Sequence, residues 1–307
     1  MTAPRLTGLA SAARIIGLWL TAFLLLAVMV ADTPRVVGFD SHAYWHAWHR
    51  AAMYGSSPNT DDAFLYSPAF AQLLWPLAQL PWPAFLAFWT IGGFLLYGWL
   101  LWPLPVFPYR LPLLLICIPQ AVIGNIWPLF AIVAVVGFRR PVVWVFPLLT
   151  KVTAATGLVW FLVRREWRAL GTAVAASLLV TAVSVAISPG LWEGWLHLLV
   201  TGGSGGTPSG SPNIPLLLRL PIALVLAAYA ARRSRPRVLI FTIGLASPVF
   251  TASLLLSNLM VLAAIPRFER ASGDGTVARA ERWHLKGILV CSRTDRSPVP
   301  TLPNRSR

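Results

Sequence analysis

Apolar runs long enough to cross a lipid bilayer recur along this chain, at residues 15–31, 84–104, 120–138, 169–187 and 214–231. About 20 apolar residues wound as a helix span the hydrocarbon core. Inside it every backbone polar group needs an internal partner, which a helix supplies within its own segment. The composition agrees: 57% of residues are hydrophobic and 11% charged, about half the charge of an ordinary soluble domain. The runs predict an all-α polytopic membrane protein. They leave no room for a sizeable separate soluble domain, and a soluble fold with buried helices fits poorly.

The net charge of +15 comes almost entirely from arginine. A basic excess of this size is also the footprint of nucleic-acid binding. Here, however, the arginines form short clusters between apolar runs: Arg5 and Arg14, Arg139-Arg140, Arg164-Arg165 with Arg168, Arg232-Arg233 with Arg235 and Arg237, and a tail from Arg267. That is the positive-inside pattern, facing anionic lipid, so the expected partner is the bilayer and no nucleic acid. The pattern places residues 1–14 and the basic tail 267–307 in the cytoplasm, with a transmembrane domain at 15–266 between them. The external loops become 32–68 and 188–213. Arg35 and Arg50 break the rule but lie among Asp32, Asp40, Asp61 and Asp62. The run 15–31 is long for a signal-peptide core and no clean small-residue cleavage site follows it, so it is read as a retained first helix. Cys117 and Cys291 make neither a disulfide framework nor a metal pair.

Two segments resist a single crossing. Residues 141–163 are apolar yet carry arginine at both ends, and 238–266 do the same with Pro248 in the middle. Like-sided ends require an even number of crossings, and two full crossings need about 40 residues. Each segment is expected to be a pair of short helices turning inside the protein, which is tolerated at membrane depth where the broken backbone is buried or lines a cavity. A single tilted span with one misplaced end is the simpler alternative. Residues 69–81, too short to span and rich in Trp and Pro, are expected to form an interfacial helix on the outer side.

The polar chemistry gathers in the first external loop, Phe39-Asp-Ser-His-Ala-Tyr-Trp-His-Ala-Trp-His-Arg50. An acid there is expected at the water–lipid boundary, a place from which a membrane enzyme could deprotonate a soluble or lipid-borne acceptor. Asp40 or Ser41 is expected to cap a helix start, and backbone N–H groups would then also hold the carboxylate ionised. His42, His46 and His49 fall at i, i+4 and i+7, on one helical face. A histidine pair at i, i+4 can bind zinc, but no third ligand is placed and no Glu follows His42. No metal or cofactor is therefore expected, and the histidines read as a wet face touching an acceptor. Lys151, one of only two lysines, lies about ten residues from arginine on either side. A charge at that depth is costly unless paired or used; at a turn between two short helices it would face a cavity and hold a phosphate. A lysine snorkelling to the interface is the bland alternative. Asn125 and Asn213 fall at expected outer helix ends, where each can serve simply as a cap.

Taken in order, these features resemble the polytopic bacterial glycosyltransferases of family 87, within the GT-C superfold. The resemblance runs through most of residues 15–266. It rests on the first-loop acid with its following aromatic (Asp40, Tyr44), and on a Tyr-x-Pro step before a Pro-broken apolar stretch (Tyr66-Ser-Pro68). Further along it rests on Gly124-Asn125 opening a helix, on Lys151 followed by an Arg-Arg-x-Trp-Arg end, and on an external Asn before a helix (Asn213). It identifies the chain as a short or divergent member and implies a GT-C-like helical bundle in a bacterial plasma membrane, active on the extracytoplasmic side. It implies a hexosyltransferase moving a sugar, mannose for many members, from a polyprenyl-phosphate donor to an envelope glycan or glycolipid. By the same resemblance Asp40 is the catalytic base and Lys151 and Arg50 face the donor phosphate. His42, Tyr44, Tyr66, Asn125 and Asn213 line the substrate site. Asn258 stands where members often carry a histidine near donor phosphate. A transporter or flippase of lipid-linked substrates, or a non-catalytic assembly protein, are the competing readings. Broken helices and an intramembrane lysine suit the transporter, but no internal repeat is visible and the polar groups concentrate in one loop.

Overall fold

The computed structural model describes residues 3–56, 62–202, 215–247 and 255–273. It is 80% helical, with no strand among the described residues, which fixes the all-α class. Contacts group Met1–Arg267 into one compact unit and Phe268–Arg307 into another, of which residues 268–273 are described as helix.

Among the described residues four helical segments are long and apolar enough to cross a membrane: Ser11–Ala31, Trp82–Leu101, Val106–Ile123 and Trp167–Ile187. The first is the main part of α1 (Ala3–Ala31), which the Asp32-Thr33-Pro34 step closes and a short α2 (Thr33–Val36) follows. Next come α3 (Phe39–His46), α4 (Pro68–Ala78) and α5 (Trp82–Leu101). A kinked turn at Val106–Arg110 leads into α6 (Leu111–Ile123), and α7 is Trp127–Val136. The remaining helices up to the basic turn are α8 (Val145–Thr150), α9 (Gly157–Val163), α10 (Trp167–Ile187), α11 (Pro189–Gly202) and α12 (Leu216–Arg232). Beyond it lie α13 (Pro236–Leu245), α14 (Leu255–Leu259) and α15 (Ala264–Gly273).

Helix α6 packs against both α1 and α5, and α12 against α9 and α13. Small residues set the closest approach: Gly93 of α5 faces Ala121 of α6 so tightly that an added methyl would meet the Ala121 side chain at 3.3 Å. Small-residue contacts of this kind let membrane helices gain dispersion energy where no hydrophobic drive separates protein from lipid. Outward faces stay greasy, as Leu178, Leu179 and Val183 of α10 are all more than half exposed.

Several boundaries differ from the sequence reading. The apolar run read from residue 120 is not one helix, since α6 continues through Pro119 to Ile123 and stops at Gly124, whose left-handed backbone (φ 83°) closes it, and α7 begins only at Trp127. By contrast, residues 141–163 break where expected. A single turn at Pro141–Trp144 and α8 end at Lys151 (φ −133°, ψ 76°), after which Val152–Ala154 and α9 resume. In 238–266, α13 ends at Leu245, and the expected break at Pro248 lies outside the described residues, as does Asn213.

The two segments expected outside lie together. Trp195 of α11 donates from its indole to the Leu65 carbonyl, and Gly194 packs on Tyr54. Two arginine clusters also meet each other, Arg164 Nη1 donating to Ser234 Oγ at 3.0 Å. Arg219, inside apolar α12 and 3% exposed, donates through Nη1 to the carbonyls of Leu245 (2.6 Å) and Ser247 (2.9 Å), the C-terminal end of α13. Arg219→Leu leaves those carbonyls without that donor. The expected loss is about 1–3 kcal/mol, read as a lowered unfolding midpoint of the detergent-purified protein, with Arg219→Lys restoring part of it.

Candidate functional site

The site is built from three breaks in the helical framework. The first is the start of α3. Gly38 takes a left-handed backbone (φ 73°) in the N-cap position, and an added Cβ there would collide with Trp82 at 2.8 Å. Its N–H bonds to the Val122 carbonyl at 2.8 Å. The second break, Gly124, closes against the same spot, since a Cβ at Gly124 would meet the Ser41 side chain at 2.5 Å. Trp89 Nε1 holds the Gly124 carbonyl at 2.7 Å. Two glycines in a conformation that L side chains adopt only with strain thus dock the first turn of α3 against the end of α6.

The sequence reading placed Asp40 or Ser41 at the helix cap. That is corrected: Gly38 is the cap, no side chain caps the helix, and Asp40 lies inside the first turn. Its carboxylate is thereby left for another partner. Asn125 Nδ2 donates to Asp40 Oδ2 at 2.8 Å, while Asn125 Oδ1 accepts from the Trp127 backbone N–H at 3.1 Å. Asn125 therefore accepts from the first N–H of α7 with one end of its amide and orients Asp40 with the other.

The third break supplies Lys151. Its Nζ sits over the Trp127 ring, 4.5 Å from the centroid. Asp40 and Lys151 make no ion pair, yet each lies in the other's field. Ser67, buried within the Tyr66-Ser-Pro68 step, donates its hydroxyl to the Leu149 carbonyl, which moors that step two residues before Lys151. Burial raises the Asp40 carboxyl to about 6, against the lowering pull of Lys151 and of the Asn125 hydrogen bond. The ordering of those causes matters: the surroundings withhold water more than they supply counter-charge.

Tyr44 and Tyr66 form the aromatic side of the site. Their hydroxyls are 3.5 Å apart and their rings meet edge to face at 5.6 Å. Burial, with the Asp40 carboxylate contributing, pushes both phenols above their ordinary range, so both stay protonated and able to donate. Tyr44 is wedged among Phe70 and Trp89 as well.

The histidines divide. His42 Nδ1 pairs with Asp62 Oδ1 at 2.5 Å and lies edge-on to Trp82. His46 stacks on His42 at 5.5 Å, and burial, with Arg50 adding, lowers its pKa. The expectation that His49 shares their face is corrected. α3 ends at His46, the chain tightens through Trp48→Trp45 and His49→His46 backbone bonds, and His49 folds onto the Trp45 ring at 4.0 Å. Among the described residues no three metal-ligating side chains converge. Arg50 donates to Ser56 Oγ at 2.6 Å, beside His46. Asn258, 2% exposed, lies where α14 crosses α13 so closely that a Cβ at Gly244 would strike the Asn258 carbonyl. Residues Asp62, Ser67 and Trp127 went unassigned in the sequence reading. Ser67 stands inside a motif that carried the resemblance, Tyr66-Ser-Pro68, and Trp127 lies two residues beyond another, Gly124-Asn125, which was the available signal.

The model of Glycosyltransferase family 87 matches residues 64–282, more than two thirds of the chain. The chain belongs to glycosyltransferase family 87. No curated protein and no solved structure matches it significantly. The family match takes in Tyr66, Ser67, Asn125, Trp127 and Lys151 and begins beyond Asp40.

The docking makes a specific demand. Gly124→Ala forces a strained backbone, worth about 1–3 kcal/mol, and drives a methyl into Ser41. Thermal unfolding should show that loss, and Ser41→Gly in the same chain should recover only the part due to the collision.

Proposed function

We propose that this glycosyltransferase moves a hexose, mannose by resemblance, from a polyprenyl-phosphate donor to a hydroxyl of an envelope glycan or glycolipid, on the extracytoplasmic side of a bacterial plasma membrane. The observation that carries this is the path Asp40–Asn125–Trp127–Lys151. A carboxyl group raised towards neutrality stands at one end, a lone ammonium stands at the other, and protein contacts join them without neutralising either.

In the proposed reaction the acceptor hydroxyl gives its proton to Asp40 as its oxygen bonds to the anomeric carbon. The bond from that carbon to the phosphate oxygen breaks on the opposite face, and the polyprenyl phosphate leaves with the electron pair, inverting the centre. Lys151 faces the charge growing on the leaving phosphate in a water-poor site, where fixed charge acts most strongly. Asn125 keeps Asp40 aimed, and Tyr44 and Tyr66 offer hydroxyl donors to sugar or phosphate. Arg50, His42, Asn213 and Asn258 complete the proposed substrate contacts.

Asp40→Asn keeps the shape and removes the base. In vesicles given polyprenyl-phosphate mannose and acceptor, transfer should fall by about 10²–10⁴-fold with the protein still inserted and folded; undiminished transfer sinks the assignment. Uptake or scrambling of the lipid-linked sugar without transfer would indicate the transporter instead.

The pH dependence has a definite sign. Asp40 works only when ionised, so kcat/KM should climb as pH rises through about 6 and level off above it. Lys151 lowers that carboxyl's pKa, so Lys151→Gln should slow transfer and move the acidic limb to higher pH. Asn125→Ala should move it the same way by deleting a hydrogen bond to the ionised form. A limb that stays put in both variants, with turnover still measurable, would show that another group titrates there.

A further inference from the structure

A second site lies at the far end of α5. Leu101, Leu104, Tyr109, Leu113, Ile116 and Cys117 form one wall of a half-open groove of about 390 Å³, and residues 259–266 close the other. Its lining is almost wholly apolar. Helix α5 begins at Trp82, which touches His42 beside Asp40, and runs for 20 residues. The groove is therefore about 30 Å from that end along the helix axis, close to the opposite surface of the hydrocarbon core.

Two arginines adjoin its lining residues in the chain. Arg110 follows the lining residue Tyr109 and stacks on Trp102 at 4.8 Å. Arg267 follows the lining residue Pro266 and stacks on Trp99 at 4.2 Å. Trp99 and Trp102 are three residues apart at the end of one helix, so they are surface neighbours, and the two cations flank the same patch. Both indoles are partly exposed, at 38% and 61%, as interfacial tryptophans are. Arg110 spends Nη2 on the carbonyls of Trp102 and Leu104, but its buried Nε finds no acceptor among the described residues. A buried charged donor without an acceptor is costly, and an anion reaching Arg110 would relieve that cost.

We propose that this groove is a binding site for an anionic phospholipid. One acyl chain lies in the groove and the headgroup phosphate accepts from Arg110 and Arg267 at its mouth. Basic pockets between membrane helices hold lipid headgroups by this combination of charge and buried chain. The site is separate from the transfer reaction and stands or falls without it.

The test uses the full chain purified in mild detergent, offered equal amounts of phosphatidylglycerol and phosphatidylcholine, with retained lipid counted by native mass spectrometry. Phosphatidylglycerol should be retained in preference. Arg267→Gln and Arg110→Gln should each lower its retention about five-fold, the effect of roughly 1 kcal/mol per cation near a lipid surface, and leave phosphatidylcholine unchanged. Arg267→Gln is the decisive variant, because Arg110 also ties down the end of α5 and its loss can disturb folding. Leu113→Trp fills the groove and should reduce retention of both lipids. Equal retention of the two lipids by the parent chain overturns the proposal, as does undiminished retention in Leu113→Trp. Displacement of phosphatidylglycerol by inorganic phosphate at equal concentration would also overturn it, by showing an anion site with no use for the groove.

Discussion

The contact between two left-handed glycines and their neighbours decides where the chemistry sits. Gly38 turns the chain so that α3 begins against α6, and Gly124 ends α6 at the point where Ser41 needs room. A side chain at either place meets both backbone strain and a neighbour less than 3 Å away. The gain is positional. Because the cap of α3 is a glycine, Asp40 is released from capping and turned towards Asn125.

The helix breaks do related work. Membrane depth tolerates irregular backbone only where protein or a cavity receives its polar groups. At Gly124–Trp127 the Gly124 carbonyl meets the Trp89 indole and the Trp127 N–H meets the Asn125 side chain, and near Lys151 the Leu149 carbonyl meets the Ser67 hydroxyl. Each break is thereby satisfied by a residue from the polar loop region that carries Asp40 and Tyr66, or from the helix beside it. The framework that stabilises the irregular backbone is the same one that assembles the candidate site.

Much of this was legible in the sequence. Length and apolarity gave the all-α membrane class, because hydrocarbon permits few alternatives. Arginines at both ends of 141–163 pointed to the interruption at Lys151, since like-sided ends call for an even number of crossings. What stayed hidden depends on packing at one-residue scale. Asp40 at the second position of a helix and Asp40 at its cap read alike until Gly38 is seen in the left-handed region. The i, i+4, i+7 spacing of the histidines assumed a helix three residues longer than the one that forms. Arg219 lies in plain view in Leu216-Leu-Leu-Arg-Leu-Pro221, but its service to the end of α13 comes from a segment 26 residues away, which no local pattern announces.

The resting place of Lys151 has a thermodynamic corollary. An ammonium leaning on an indole gains about 0.5–2 kcal/mol, less than it would from a neighbouring anion in so dry a setting. It is anchored well enough not to wander and loosely enough to be drawn off by any arriving oxyanion. The same cation clamped to a carboxylate would first have to abandon a partner that could not then be left bare.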